Sequence, residues 1–377
     1  MNFRFTQEEK ALWRRAKKVA DEKIAPRAAE WDETNEISPE LVNILAKAGF
    51  FRLLFPREYG GLGVSSVKIC IVREELSRVC MKADVTLIMS GLGCYAIACY
   101  GTEEQKRKYI PPLASGERLG SFGLTEPGAG SDIAGIQSTA VLDGDHYILN
   151  GRKRFISSGY GADTLVVFAK TDPEKGGRGI SAFIVEKGMP GFEARLMNLM
   201  FAGDEAELFF TNCRVPKENL LGVPGQGWAI ALGNLNIFRP TVGASAVGTA
   251  QRAFDLALSY AKKRQAFGQP ISNFQIIQFK LAEMATELDA ARLLCYRAAW
   301  MADQGDDDLR KEASMAKLFA TEAARRIVDQ ALRIHGGLGV VKGYEIERLY
   351  RFITAATIGE GTSEMQSLTI ARRLLRE

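Results

Sequence analysis

The sequence predicts an α+β chain, mostly α, in three consecutive parts, and three observations carry that prediction. Helical periodicity runs from Gln7 to about Arg118, a strand-like period of two takes over between about Leu119 and Val223, and longer helical runs return after Gly225. The expected divisions are an N-terminal helical domain over 1–118, a middle β-domain over 119–223 and a C-terminal helical domain over 224–377. A chain of 377 residues can bury a large core and divide into two or three packed units.

In the first part, Pro26, Pro56, Gly60-Gly61 and Pro111-Pro112 punctuate the helical pattern. The start, Met1 to Lys10, carries acids and no apolar core, so neither secretion nor organelle import is expected and the chain reads as cytoplasmic. The uncharged run Val85 to Thr102 is interrupted by Ser90, Gly91, Gly93 and Gly101, which favours a buried helix over a membrane span. In the second part, Tyr147-Ile148-Leu149 and Lys153-Arg154-Phe155-Ile156 flank Asn150-Gly151, a hairpin signal, and the strands Leu165 to Phe168 and Ala182 to Val185 follow. In the third, Ile277, Leu281, Met284, Leu288, Ala291 and Cys295 repeat at alternating spacings of four and three over Phe274 to Asp303. Ala316, Ala320, Ala323, Ile327, Ala331 and Ile334 do the same from about Leu309 to Ile334. Both stripes are read as core for antiparallel helix packing.

Hydrophobic content of 46% and charged content of 25% are ordinary for a soluble enzyme. A net charge of +4 over this length is too weak to imply nucleic-acid binding. The six cysteines are scattered with no C-x-x-C pair, and two histidines cannot supply a metal set, so reduced thiols and no metal are expected.

Two loops carry the chemistry. Thr357 to Glu364 puts Glu360 between Gly359 and Gly361, just before a helix whose hydroxyl cap is Thr362 or Ser363. A catalytic base would sit there, and an exposed loop acid would look the same. Leu124-Thr125-Glu126-Pro127-Gly128-Ala129-Gly130-Ser131-Asp132 exposes successive amides, with hydroxyls at Thr125 and Ser131 that can bond a ring or a phosphate. It lacks the spacing of a dinucleotide fingerprint, so a nicotinamide Rossmann fold is disfavoured.

With Phe155 to Gly159, Arg239-Pro240 to Gly268 and Ile334 to Gly339, these segments occur in the order found in the acyl-CoA dehydrogenase family, which the chain resembles over essentially its whole length. The resemblance implies a β-barrel-like middle domain and a C-terminal four-helix bundle. It implies removal of an α-proton and a β-hydride from an acyl-CoA thioester, with flavin N5 of FAD as hydride acceptor and an electron-transferring flavoprotein as the electron partner. Such chemistry needs a base, an electron sink and donors to the thioester oxygen. Glu360 matches the base, in a site dry enough to raise its pKa. Another branch takes its base from a position occupied here by Phe238, which cannot serve.

By the same resemblance, Phe122, Leu124, Thr125, Gly130 and Ser131 contact the flavin, with Phe155 and Ser157 on its other flank where many relatives have Trp-Ile-Thr. Arg264, Phe267, Phe274 and Gln275 reach the pyrophosphate and adenosine across a subunit interface, which implies a homotetramer. Arg333, Gly336 and Gly337 lie toward the adenine, Arg333 replacing the usual Gln, and Thr362 and Glu364 complete the cofactor set. Ser131, Asn236, Phe238, Arg239, Gly359 and Gly361 correspond to substrate contacts, Asn236 standing where many relatives have Asp. His335 is read as a packed histidine. Straight-chain relatives often carry Tyr before the catalytic Glu. Gly359 here leaves room beside the reacting carbons and points to a compact branched or ring-bearing acyl group. The enoyl-CoA reductase direction, and a nucleic-acid-binding role known in a few relatives, remain as alternatives. No nucleic-acid partner and no membrane insertion are expected.

Overall fold

The structure, a computed structural model, describes residues 4–306 and 308–376. The chain forms two compact units: Met1–Asp32, Ser65–Asp84 and Asn236–Glu377 make the first, Glu33–Val64 and Val85–Leu235 the second.

The first unit is helical. It opens with Gln7–Val19, started by a capping box in which Thr6 Oγ1 accepts from the Glu9 amide at 3.2 Å and the Thr6 amide donates to Glu9 Oε2 at 2.7 Å. One core gathers residues from four helices among the described residues: Ala246 to Ala261 of Gly227–Lys263, Met284 to Ala298 of Gln275–Gln304, Ala316 to Ile334 of Arg310–His335, and Ile346, Leu349 and Ile353 of Glu345–Ala356. Both apolar stripes read from the sequence lie in this core, Ile277 and Leu281 at its margin. The many alanines let the helices approach closely while still removing apolar area from water.

The second unit carries the sheet. Its strands are β1 (Gly120–Gly123), β2 (Thr139–Asp143), β3 (His146–Ile156), β4 (Thr164–Lys170), β5 (Ile180–Glu186), β6 (Phe192–Leu196), β7 (Ala206–Pro216) and β8 (Leu220–Leu221). They follow the order β6-β7-β3-β2-β4-β5-β8, with β1 parallel to β4. Strands β4 and β5 are buried along nearly their whole length, as continuous apolar runs require, and their side chains join Tyr147, Leu149, Leu208 and Phe210 in one core.

Asn150-Gly151 is not a hairpin turn. It lies inside the continuous β3, and the turn falls instead between Asp143 and His146. Register shifts between Leu149 and Gly151 against β7, and Gly151 has φ 147° beside Ser138, where a Cβ would lie about 2.6 Å from the Ser138 Cβ. The dipeptide therefore makes a β-bulge. Its Asn150 side chain accepts from the Asn212 amide at 2.7 Å, and Asn212 itself is left-handed at φ 47°.

The run Val85 to Thr102 falls in the helix Met81–Tyr100 up to Tyr100; that helix is long and apolar enough to cross a membrane by length and composition and is mostly buried within the fold.

Candidate active site

In the helical unit the loop after Glu345–Ala356 is built around one residue. The amides of Ile358 and Gly359 both donate to the Ala355 carbonyl at 3.0 Å, the chain turns left-handed at Glu360 (φ 54°) and Gly361 (φ 97°), and Thr362 then caps Ser363–Leu374 by accepting from the Met365 amide at 3.3 Å. A left-handed glutamate is a local strain of about 1–3 kcal/mol that surrounding bonds must hold. Those bonds are present. Buried Gln366 donates Nε2 to the carbonyls of Glu360 at 3.3 Å and Gly361 at 3.0 Å, and the Ser363 amide closes the loop on the Thr357 carbonyl at 3.1 Å. At Gly361 a Cβ would lie 2.6 Å from the Gln366 amide nitrogen, so the brace needs glycine there.

The Glu360 carboxylate is held without being neutralised. Its Oε2 is enclosed and has no hydrogen-bond partner among the described residues. Burial pushes its pKa above the usual carboxylate value, against the pull of Arg73, Arg239 and Lys317, while Asp84 adds to the rise. A dry carboxylate with raised proton affinity is what a base or acid at a carbon centre needs.

The cations around it come from three helices. Arg73, buried on Ser66–Val79, makes a two-pronged pair with Asp84, both bonds at 2.8 Å, and a third bond to Thr241 Oγ1 at 2.8 Å. Ser245 also donates to Asp84 at 2.7 Å. Lys317, fully buried on Arg310–His335, donates Nζ to the Thr357 carbonyl at 3.1 Å and the Gly361 carbonyl at 2.9 Å. Burial lowers its pKa to about 8, with Glu360 and Glu322 opposing that fall. Arg239 is held below the usual arginine value by burial, with Glu360 opposing. Phe238 is fully buried beside it. The Asn236 side chain lies outside the described residues.

Arg73, Asp84 and Lys317 were not singled out from the sequence, although each has apolar neighbours on at least one side. Ile71-Val72 precede Arg73, Val85 follows Asp84, and Ala316 and Ala320 bracket Lys317 on a core stripe. A charge on a buried stripe was the available signal.

The glycine-rich loop belongs to the sheet unit. Phe122 and Leu124 are buried, Phe122 packing edge-on against Phe168 with ring centroids 5.0 Å apart. The Thr125 carbonyl accepts from the Arg154 amide at 2.9 Å, while Gly130, Ser131 and Asp132 are exposed. Glu126 anchors the loop: it accepts from the Gln137 amide at 2.5 Å, the Ser138 amide at 3.0 Å, Ser138 Oγ at 2.5 Å and Lys153 Nζ at 2.7 Å. Lys153, fully buried on β3, also donates to the Leu124 carbonyl at 3.2 Å, and burial lowers its pKa to about 8. Two residues on, Phe155 is left-handed (φ 58°) and 53% exposed. Ser158 is left-handed too, and its enclosed Oγ has no partner among the described residues. Ser157, between them, is half-buried, and its carbonyl accepts from Ser121 Oγ at 2.7 Å.

The remaining candidate positions lie on the helical unit. Gln265–Ala266 and Gln269–Pro270 pair through a turn with φ 50° at Phe267 and 76° at Gly268, which leaves the Phe267 ring 95% exposed, edge-on to Phe274. Arg264 and Gln275 are exposed at either end of this hairpin. Gly336 and Gly337 are exposed, and Arg333 is paired with Asp329 at 2.7 Å. His335 is packed as expected, stacked on Tyr260 at 4.5 Å with Nδ1 2.7 Å from the Ala331 carbonyl. Thr362 spends its hydroxyl on the helix cap, and Glu364 is exposed in that helix's first turn.

Three sequence families match in succession: the acyl-CoA dehydrogenase N-terminal domain over residues 6–117, its middle domain over 121–213 and its C-terminal domain over 225–375. The chain is 44% identical to the 3-(aryl)acrylate reductase of Clostridium sporogenes, covering 99% of this chain and 100% of that one. It is 43% identical to the acryloyl-CoA reductase (NADH) of Anaerotignum propionicum, covering 100% and 96%. Among solved structures it is similar to a chain described with the electron transferring flavoprotein of Acidaminococcus fermentans and flavin-based electron bifurcation (TM-score 0.97, 42% identity, 100% of both chains). It is similar to butyryl-CoA dehydrogenase from Megasphaera elsdenii (0.96, 38%, 100% of both) and to an acyl-CoA dehydrogenase complexed with FAD from Bacillus anthracis (0.92, 35%, 99% of this chain and 67% of that one).

Proposed function

We propose, on the premise that this chain belongs to the acyl-CoA dehydrogenase family, that it interconverts an acyl-CoA and its 2-enoyl-CoA with Glu360 as the group that moves the α-proton. It is an FAD-dependent oxidoreductase. The observation that carries the proposal is the enclosed, unpartnered Glu360 Oε2 in a left-handed turn braced by Gln366 and Lys317. Strain and desolvation of this kind are kept where a side chain must act. In the oxidative direction the carboxylate takes the α-proton. In the reductive direction the carboxyl returns it, and a raised proton affinity suits both.

The residues present fit FAD. The exposed Phe155 ring offers an apolar face, Thr125 and Ser157 offer hydroxyls, and buried Phe122 and Leu124 form the floor of the loop whose residues 130–132 are exposed. When bound, FAD supplies the acceptor for the electron pair. The protein's part is to shield that pair from water and to hold the proton-moving carboxyl in one geometry.

Dehydrogenation with transfer to an electron-transferring flavoprotein is the leading reading, supported by the likeness to the chain described with such a flavoprotein. Reduction of an enoyl-CoA is the second, favoured by two relatives named as reductases. A compact branched or ring-bearing acyl group is the proposed substrate, because a Cβ at Gly359 would meet nothing nearer than the Ala355 carbonyl at 3.7 Å. The proposal includes a cytoplasmic homotetramer, with copies covering the exposed Phe267, Ile276 and Phe279.

Glu360→Gln is the test, with flavin absorbance followed on addition of acyl-CoA and turnover measured with an artificial acceptor. The variant is expected to keep FAD and ligand while losing about 10²–10⁴-fold in turnover. Retention of more than about a tenth of the wild-type rate would sink the assignment.

A further inference from the structure

We propose that Lys317 is a positioning residue for Glu360: its ammonium ties together the two carbonyls that bracket the base and supplies the charge that favours the ionised carboxylate. This rests on the reading of Glu360 as the base. The geometry is specific. Nζ donates to Thr357 and to Gly361, three residues before and one residue after Glu360, so a single side chain spans the turn that Glu360 strains. The donor arrives from the helix Arg310–His335 rather than from the loop, so it holds the loop to the bundle core. A buried lysine whose bonds among the described residues go to two carbonyls is an unneutralised cation in direct bonding terms. An aliphatic residue would pack this stripe at less cost, since burying an ion is unfavourable without compensation.

The charges facing the two groups set the sign of the effect. Glu360 feels Arg73, Arg239 and Lys317 as cations and Asp84 as an anion. Lys317 feels Glu360, Glu322 and Glu364 as anions and Arg239 as a cation. Arg73 is already closed on Asp84 and Thr241, so its charge is largely answered. Among the described residues Lys317 has no carboxylate at bonding distance, and its field is left for Glu360. Removing it raises the Glu360 pKa further, so the base is protonated over more of the working range.

The test is the pH profile of kcat in the oxidative direction for wild type, Lys317→Met, Lys317→Arg and Glu360→Gln, all in the FAD-loaded enzyme. In Lys317→Met the acid limb is expected to move up by about one pH unit, so that kcat on the limb falls about tenfold more than at the plateau, with KM little changed. Lys317→Arg is expected to return the limb to the wild-type position. A merely structural role lowers the plateau and leaves the limb in place, and that result overturns the proposal. If Glu360→Gln is fully active, the base reading itself fails; if it is inactive while the limb in Lys317→Met does not move, only the Lys317 inference fails. Should Lys317→Met not fold, coupling is read from the other side by an NMR titration of the Lys317 ammonium in wild type and Glu360→Gln. Because coupling is reciprocal, the midpoint must fall when the carboxylate is removed, and an unchanged midpoint overturns the proposal.

Discussion

Replacing Glu360 by Gln should make the folded chain more stable at pH 8 while it destroys turnover, and the sign follows from the structure. Glu360 Oε2 is enclosed without a partner, and burial outweighs the attraction of Arg73, Arg239 and Lys317, so the folded-state pKa lies above the unfolded value of 4.5. Below the unfolded value both states hold the proton, and the contribution to stability is fully present. As pH rises through the folded value, the folded chain surrenders a proton that it held more tightly, and the contribution is lost. Above the folded value the wild type has lost it, whereas glutamine has no proton to lose. Each unit of displacement is worth about 1.4 kcal/mol, and an enclosed unsatisfied polar atom costs about 1–3 kcal/mol. Because the three cations recover part of that cost, a gain of about 1 kcal/mol is expected, a few degrees in Tm. Melting curves of both proteins at matched FAD occupancy, from pH 5 to pH 8, provide the measurement. The variant's advantage should grow with pH. A variant less stable than wild type at pH 8, or an advantage independent of pH, would refute the claim that the carboxylate is held desolvated against its own ionisation.

In the sheet unit, Lys153→Met should cost about 3 kcal/mol in urea unfolding, the lower end for breaking a buried ion pair, because Glu126 keeps donors from Gln137 and Ser138. A loss under about 1 kcal/mol would show that the pair does not anchor the glycine-rich loop. For the acyl pocket, kcat/KM for isobutyryl-, isovaleryl-, cyclohexanecarboxyl-, butyryl- and octanoyl-CoA should favour the compact branched or cyclic groups, with single-methylene differences of about 1–3 kcal/mol. A clear octanoyl-CoA preference would mean that the space at Gly359 is filled. Light scattering should return a tetramer, and a monomer with full flavin occupancy would contradict the role given to Arg264 and Gln275.

The helical parts were legible because their stripes repeat at helix spacing: Met284, Leu288, Ala291 and Cys295 are buried as their pattern requires. The bulge at Asn150-Gly151 was not. Its local chemistry is that of a turn, and only the pairing of β3 with β7 and the bond from Asn212 keep the strand running through it. The turn at Glu360 was marked by the two glycines around it, although an exposed loop acid would have looked the same. The residues that hold and tune it were not, because Lys317 is 43 positions away in sequence and reaches the loop only after the bundle has formed. Arg73 and Asp84 meet across a helix break at Cys80, which no periodicity within one helix reveals. Charges on otherwise buried faces mark such residues, but their partners appear only in the fold.

The most direct measurement of the central claim is exchange of the substrate α-proton in deuterated water, with FAD bound and no electron acceptor present. It reads the proton step alone and does not depend on the physiological direction. Wild type should wash deuterium into the α-position of a bound acyl-CoA, and Glu360→Gln should do so at least about 100-fold more slowly at unchanged ligand affinity. Equal exchange rates in the two proteins would contradict the account, because some other group would then be moving the proton.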